Sequence, residues 1–206
     1  MSESVSQNFN HLKIHTQYSI CEGAARIDDL QEYSKKNKIK SLGLCDTSNL
    51  CGALEFADKI SKVGTQPIIG TQINFKYEET IGLLPLYALN ESGYKRLIEL
   101  SSLSFLNNDE LSDPHLEIKE LLDRSDGIAV FSGTINGLFG QLFQKGKLKD
   151  IEDLYLKLKS KYNDCFYIEI QRHGDQDEKN FEIFNLNKSY NLEIPIIATN
   201  EVFYID

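Results

Sequence analysis

The sequence predicts an α/β fold built from parallel strands and crossover helices. Three observations indicate this class. Apolar, β-branched runs recur along the chain, amphipathic stretches with helical spacing lie between most of them, and short connectors with Gly, Asn or Asp separate the two. The two patterns alternate about seven times without a break in composition, a repeat or a low-complexity segment, which is typical of parallel strands. We therefore expect one domain over residues 1–206, with a flexible N-terminus over residues 1–10.

The predicted elements follow from these patterns in chain order. Seven apolar runs are predicted as strands: residues 12–15, 41–45, 67–75, 83–88, 128–132, 166–170 and 194–199. Five stripes of apolar residues predict helices, and the last stripe is the least regular. They are Ile27, Leu30 and Tyr33; Leu54, Phe56, Ala57 and Ile60; Tyr94, Leu97, Ile98 and Leu100; Ile151, Leu154, Leu158 and Tyr162; and Phe181, Ile183, Phe184 and Leu186.

Charge and composition exclude several classes of protein. The formal net charge of −9 argues against a surface that grips nucleic acid by itself, because phosphate binding needs clustered Lys and Arg. The richest basic patches, residues 35–38 and 145–149, are short and are interpreted as solvated helix ends. No apolar run approaches the ~20 residues of a membrane span, and the polar residues 1–10 do not resemble a signal peptide.

The four cysteines show no metal-binding or disulfide pattern. Cys21, Cys45, Cys51 and Cys165 have no CxxC spacing, which favours the reduced cytosol as the compartment. The first three are predicted to be buried, small apolar residues and not nucleophiles, because no histidine is paired with them in the sequence.

Polar residues collect where the predicted strands end, and they favour a barrel over an open sheet. The turn after the first strand lacks a GxGxxG or GxxxxGK[ST] motif, so a dinucleotide or P-loop site has no support. In a (β/α) barrel, the strand ends converge on one rim, which is where such folds place their sites. The residues concerned are His15, Asp46, Gln72, Thr134, His173 and Glu201.

The first strand is the most informative stretch. Its alternation places Lys13 and His15 on one face, opposite Leu12 and Ile14. Burying Lys13 and His15 is expensive unless they meet carboxylates or a metal ion.

Structural interpretations of the strand-end residues stay open at this point. The structural interpretation is favoured for two of them: His15 as a satisfied strand-end histidine, and His173 as a surface residue of the turn before Gly174. Asp46 is explained equally well as the N-cap of a helix that starts near Leu50.

Several segments together resemble the PHP (polymerase and histidinol phosphatase) family, in particular the PHP domains at the N-terminus of bacterial DNA polymerase III alpha subunits. The segments are residues 11–19, 22–24, 45–53, 66–70, 92–94, 132–133, 168–174 and 198–201, and the similarity runs from about His11 to the last residue. The resemblance implies a distorted seven-stranded (β/α) barrel that holds His, Asp and Glu ligands for two or three metal ions. In active members, such a cluster hydrolyses phosphoesters.

The ligand positions of the family are poorly filled in this sequence. The opening His-x-His pair falls on Lys13 and His15, and the next acidic position falls on Glu22. The His after Asp46 falls on Thr47. The Glu of the third strand falls on Gln72, and the next His falls near Leu83. The His or Cys of the fifth strand falls on Thr134. The closing Asp-x-His falls on Glu201 and Phe203, so it keeps an acid and loses the imidazole. The sequence therefore predicts a degenerate metal site whose remnant is Lys13, His15, Glu22, Asp46, Gln72, Thr134, His173 and Glu201.

Lys13 suggests how such a site remains stable without a metal ion. A protonated ammonium cannot coordinate a metal. We therefore hypothesise that Lys13 takes the place of the metal and neutralises Glu22, Glu201 or Asp46.

The resemblance implies a role in bacterial DNA replication, in the cytoplasm. We expect a domain without catalytic residues that acts as a scaffold and docks the proofreading exonuclease. The alternative is an active metal-dependent phosphoesterase or 3′–5′ exonuclease. The expected partners are the remaining polymerase domains and the exonuclease subunit, with DNA bound only through the parent protein and no membrane contact. No cofactor is expected here, since Mg²⁺ belongs to a polymerase domain that this sequence lacks, and the chain alone is not expected to polymerise DNA.

The similarity also predicts a barrel truncated at its C-terminal end, because the final helix that would close it is not found in the sequence. We expect either a fragment of reduced stability or a last strand that is left partly uncovered.

Overall fold

A strongly curled sheet forms the centre of the fold. The computed structural model describes residues 9–108, 112–174 and 176–205. In these ranges the strands are β1 (Lys13–Ile14), β2 (Ser41–Thr47), β3 (Gln66–Tyr77), β4 (Thr80–Ala88), β5 (Leu116–Glu117), β6 (Ile128–Phe131), β7 (Phe166–Ile170), β8 (Ile196–Ala198) and β9 (Glu201–Val202). The helices are α1 (Ile27–Asn37), α2 (Ala53–Ser61), α3 (Glu91–Leu106), α4 (Ile118–Leu122), α5 (Leu138–Gln144), α6 (Leu148–Tyr162) and α7 (Glu178–Leu192).

All seven predicted strands and all five predicted helices are present; β7 has the predicted ends, and the ends of the other strands are shifted. Five short elements were not predicted: β5 and β9 have two residues each, a 3₁₀-helix (Asn163–Cys165) has three, α4 has five and α5 has seven. Elements of this length are too short to show a period in the sequence. Of the predicted flexible N-terminus, only residues 9 and 10 lie within the described ranges.

The strand order is β8-β7-β6-β4-β3-β2-β1-β9, with β5 beside β3. Most neighbours are parallel, as predicted, but β4 runs antiparallel to both β3 and β6. Here the prediction of parallel strands with crossover helices is wrong. Strands β3 and β4 form a hairpin in which Tyr77 pairs with Thr80, and Glu78 has a left-handed φ of 51°. A Glu-Glu turn lacks the Gly and Asn residues that usually mark such hairpins in a sequence.

The two ends of the sheet are formed by neighbouring parts of the chain. Strand β8 pairs with β7, and strand β9 pairs with β1, where Lys13 lies opposite Glu201. Only Thr199 and Asn200 separate β8 from β9, so one segment links both edges of the curled sheet. The fold is therefore an α/β half-barrel. Strand β8 is partly uncovered, as expected, since Ile196 is 44% exposed.

Helices cover the outside of the sheet, and apolar residues of the helices and strands pack together into hydrophobic cores. The larger apolar cluster lies around β3, β4, β6 and β7 and includes residues of α3, α5 and α6. A smaller cluster joins β1 and β2 to α1 and α2. Five residues of the predicted apolar stripes are exposed instead: Tyr33, Leu54, Ile98, Ile183 and Leu186. Among the described residues, no helix has the length and hydropathy needed to cross a membrane.

Candidate functional site

A lysine lies buried between two carboxylates inside the curled sheet. The Lys13 Nζ is 3.3 Å from Glu201 Oε1 and 3.5 Å from Glu169 Oε1, and the Lys13 side chain is 2% exposed. Glu201 is on the neighbouring strand β9, whereas Glu169 comes from β7 on the other side of the sheet. We refer to Lys13, His15, Glu169 and Glu201 as the buried ion cluster.

The ionised forms of Lys13 and Glu201 are favoured although both side chains lie inside the curled sheet. Burial alone would raise the pKa of Glu201, but the hydrogen bond from His15 and the charge of Lys13 outweigh it and lower this pKa to about 2. Burial would likewise lower the pKa of Lys13, yet the charges of Glu169 and Glu201 raise it above the usual value for lysine. The ammonium and the Glu201 carboxylate therefore stay charged at neutral pH.

His15 completes the cluster beside Glu201. Its Nε2 lies 3.2 Å from Glu201 Oε1, and its ring stacks on Phe203 with centroids 4.6 Å apart and planes 13° apart. The histidine is fully buried, and its Nδ1 has no hydrogen-bond partner among the described residues. Phe203 thus covers the histidine at the position where the resemblance places the last imidazole ligand.

Glu169 is the member of the cluster that sequence analysis missed. Its Oε1 accepts hydrogen bonds from Thr199 Oγ1 and from Gln171 Nε2, the latter at 3.1 Å. The Gln171 side chain also contacts His173 Nε2 through its Oε1 at 3.1 Å, so the exposed His173 is connected to the cluster. Glu169 Oε2 is buried and has no hydrogen-bond partner within the described part of the chain. The only signal in the sequence was an acidic residue in an otherwise apolar buried strand.

Asp46 is fully buried, but it does not contact Lys13. Its carboxylate accepts hydrogen bonds from the backbone N of Thr16 at 2.6 Å, from Thr16 Oγ1 at 2.8 Å and from Ser19 Oγ at 2.7 Å. The helix after β2 begins at Ala53, and its N-cap Gly52 makes no side-chain cap. The interpretation of Asp46 as a helix cap is therefore wrong. Asp46 instead fixes the loop between β1 and α1.

Glu22 and Gln72 meet at Thr47 and not at Lys13. Thr47 Oγ1 donates to Glu22 Oε2 at 2.5 Å and accepts from Gln72 Nε2 at 2.9 Å. The Thr134 side chain lines a small cavity together with Glu169, and its Oγ1 accepts a 3.3 Å hydrogen bond from the backbone N of Asn136. Of the three carboxylates hypothesised to neutralise Lys13, the structure places only Glu201 beside it.

The cysteines differ from one another in exposure. Cys45 is buried close to Lys13, and burial raises the pKa of its thiol to about 12. Cys21 and Cys51 are exposed, so the prediction that both are buried is wrong. They lie in the loops that follow β1 and β2, where the sequence gives no apolar period.

The residues present do not fit a cluster of two or three metal ions. The centre of the site is filled by the Lys13 ammonium, which donates hydrogen bonds and cannot coordinate while protonated. Over residues 9–108, 112–174 and 176–205, no three His, Cys, Asp or Glu side chains are placed to hold a metal ion. A multinuclear site needs more donors than His15, Glu169 and Glu201 can supply.

Comparisons with known proteins show related sequences and a shared fold. A family model described as PHP domain matches residues 11–173. The DNA polymerase III subunit alpha of Caulobacter vibrioides is 33% identical over 99% of this chain and 18% of that protein. The subunit of the same name from Rickettsia felis is 34% identical over 95% of this chain and 16% of that protein. The chain thus spans less than a fifth of the length of these relatives.

Solved structures share the fold at low sequence identity. A protein from Bifidobacterium adolescentis, named for metal-dependent phosphoesterase activity, matches with a TM-score of 0.64 and 12% identity. The match covers 94% of this chain and 87% of that protein. An amidohydrolase from Chromobacterium violaceum matches with a TM-score of 0.60 and 10% identity, over 95% and 87% of the two chains. At this identity the similarity concerns the fold alone.

Proposed function

The chain belongs to the PHP domain family, and from this premise we propose that it is the PHP domain of a bacterial DNA polymerase III alpha subunit with a degenerate metal site. The curated relatives support the first part, because alpha subunits of this polymerase match 95–99% of the chain. The remaining polymerase domains are then its partners within one polypeptide. Replication by such a polymerase places the domain in the bacterial cytoplasm, with DNA and Mg²⁺ bound by other domains.

The buried position of Lys13 is the observation that supports a degenerate site. The ammonium lies between Glu169 and Glu201, where it neutralises carboxylates that would otherwise need a metal ion or protons. A metal cluster generates a hydroxide nucleophile from bound water, and an ammonium cannot perform this chemistry. The domain therefore has a structural role in the polymerase.

We predict that the purified chain contains well under one equivalent of Zn, Mn or Fe and does not hydrolyse phosphodiesters. Metal content is measured by plasma mass spectrometry on untagged protein, before and after soaking in Mn²⁺ and Zn²⁺. Hydrolysis is measured with bis-p-nitrophenyl phosphate and with single-stranded DNA. One or more retained ions, together with hydrolysis that EDTA abolishes, would contradict the proposal and favour an active phosphoesterase or exonuclease.

The second part of the proposed role is docking of the proofreading exonuclease subunit. Proofreading by a separate exonuclease would explain why the site of this PHP domain could decay, and this division of labour supports the proposal. We predict that this chain and the exonuclease subunit of the same bacterium co-elute as a complex in size-exclusion chromatography. An unrelated acidic protein of similar size serves as the control, because the net charge of −9 could promote nonspecific association. Separate elution at high micromolar concentrations would contradict docking and leave the scaffold role intact.

A further inference from the structure

We propose that a groove at the N-terminal ends of β7 and β8 docks an extended, arginine-containing segment of a partner protein. The groove has a volume of about 900 Å³, and no residue of the buried ion cluster lines it, so this role goes beyond the proposed function. It is bounded by the 3₁₀-helix before β7, the end of α7 and the segment before β8. The side chains that line it include Asp164, Tyr167, Tyr190, Glu193 and Pro195.

Negative charge collects at this groove. Asp164 comes two residues after the end of α6, and Glu193 directly follows α7. Both residues are exposed, and neither forms an ion pair with a side chain of the described ranges. The ion pair that joins α6 to α7 is formed by Glu152 and Lys188 instead. Each helix C-terminus adds a partial negative charge to the two carboxylates, so the groove favours a cation.

Glu193 is an unfavourable residue at its position in two respects. Its backbone is left-handed, with a φ of 52°, at a place where glycine or asparagine usually ends a helix. Its carboxylate also follows the negative end of the α7 macrodipole, and the last turn of α7 contains no basic residue. Lys159 of α6 donates to the backbone oxygen of Leu192 and leaves the carboxylate of Glu193 unpaired. A cation supplied by a partner would balance this charge.

The tyrosines and the proline of the groove suit an arginine on an extended backbone. Tyr190 is 86% exposed, so its ring is accessible to a partner, and Tyr167 and Pro195 line the same groove. A guanidinium stacks on aromatic rings and binds carboxylates through two parallel hydrogen bonds, which an ammonium cannot do. Grooves lined by aromatic residues also bind extended, proline-rich segments. A segment in which arginine and proline alternate therefore matches both the charge and the shape of the lining.

Charge complementarity favours a basic peptide over nucleic acid and over a second copy of this chain. The formal net charge of −9 attracts a basic segment and repels phosphates. A second copy would bring the same net charge to the interface, so long-range repulsion opposes its approach. The occupant is therefore a basic segment of a different protein.

The test is a titration of the chain with the acetylated and amidated peptide Arg-Pro-Arg-Pro-Arg-Pro, at about 0.15 M salt to screen distant charges. Calorimetry measures the affinity, and amide chemical shifts identify the residues that respond. We expect saturable binding with the largest shifts over residues 189–194. The double variant Asp164→Asn, Glu193→Gln should weaken binding on the order of 10-fold, and Tyr190→Ala should weaken it as well. A peptide with glutamate in place of arginine should not bind.

A matched control separates the groove from the general acidity of the chain. The double variant Asp29→Asn, Glu32→Gln removes the same charge from an exposed part of α1, and its affinity for the peptide should stay within about twofold of the wild type. Equal weakening in both double variants would overturn the inference, and so would the lack of saturable binding up to about 1 mM peptide. Self-association of the wild type that Asp164→Asn, Glu193→Gln abolishes would assign the groove to a second copy and would also overturn it.

Discussion

Replacing Lys13 by methionine is expected to lower the free energy of unfolding by about 3–5 kcal/mol at pH 7. Methionine keeps the length of the side chain, so the loss comes from the charge and not from a cavity. The substitution leaves Glu169 and Glu201 buried without their counter-ion. Because the pKa of Lys13 is raised above its unfolded value, its contribution is fully present below about pH 10 and is lost as the pH rises further. Urea unfolding, monitored by circular dichroism, measures the difference in the free energy of unfolding between wild type and Lys13→Met.

Two further variants separate the charge effect from nonspecific damage. The triple variant Lys13→Met, Glu169→Gln, Glu201→Gln removes all three charges and should recover much of the lost stability, since a neutral polar cluster avoids the buried charge. Lys59→Met removes a half-buried surface lysine that pairs with the exposed Asp28 and the half-buried Glu55, and its stability should stay close to that of the wild type. A Lys13→Met variant as stable as the wild type would show that the ion cluster contributes nothing measurable.

The sequence predicts most of the fold because its strands and helices carry clear periods. The alternation in the first strand correctly places Lys13 and His15 together on the inner face of the sheet. It cannot identify every partner, because the contact between Lys13 and Glu169 depends on how far the sheet curls. Strand β7, which carries Glu169, follows β1 by more than a hundred residues. A local pattern in the sequence does not show which residues that are far apart along the chain lie close together in the fold.

Asp46 shows a second limit of sequence analysis. Its place at the end of a strand is compatible with a metal ligand, a helix cap or a loop anchor. The structure shows the third role, because the backbone of Thr16 and the hydroxyl of Ser19 donate to its carboxylate. These donors lie about thirty residues earlier, and they reach Asp46 only because β1 and β2 are adjacent. Which polar residues share a site is therefore decided by strand pairing.

Glu201 makes the stability of this domain sensitive to acid. Its pKa is about 2 in the folded chain and 4.5 when unfolded, so the unfolded state binds the proton more readily. The resulting contribution of about 3 kcal/mol is fully present above roughly pH 5.5 and is lost progressively as the pH falls toward 2. We therefore expect Glu201→Gln to destabilise the chain at pH 7 but to have little further effect near pH 2. Unfolding in urea at a series of pH values measures this dependence.

The salt dependence separates Glu201 from the surface carboxylates, whose pKa values are also lowered by ion pairs. Asp28 and Glu99 pair with Lys59 and Arg124 at the solvent-accessible surface, where ~0.5 M salt screens the attraction. Glu201 is mostly buried beside Lys13, so its part of the acid response should persist in salt. The difference in the free energy of unfolding between wild type and Glu201→Gln should therefore narrow as the pH falls, both at low salt and at ~0.5 M salt. A difference that stays constant from pH 7 to pH 3 would mean that the charge of Glu201 does not stabilise the buried ion cluster.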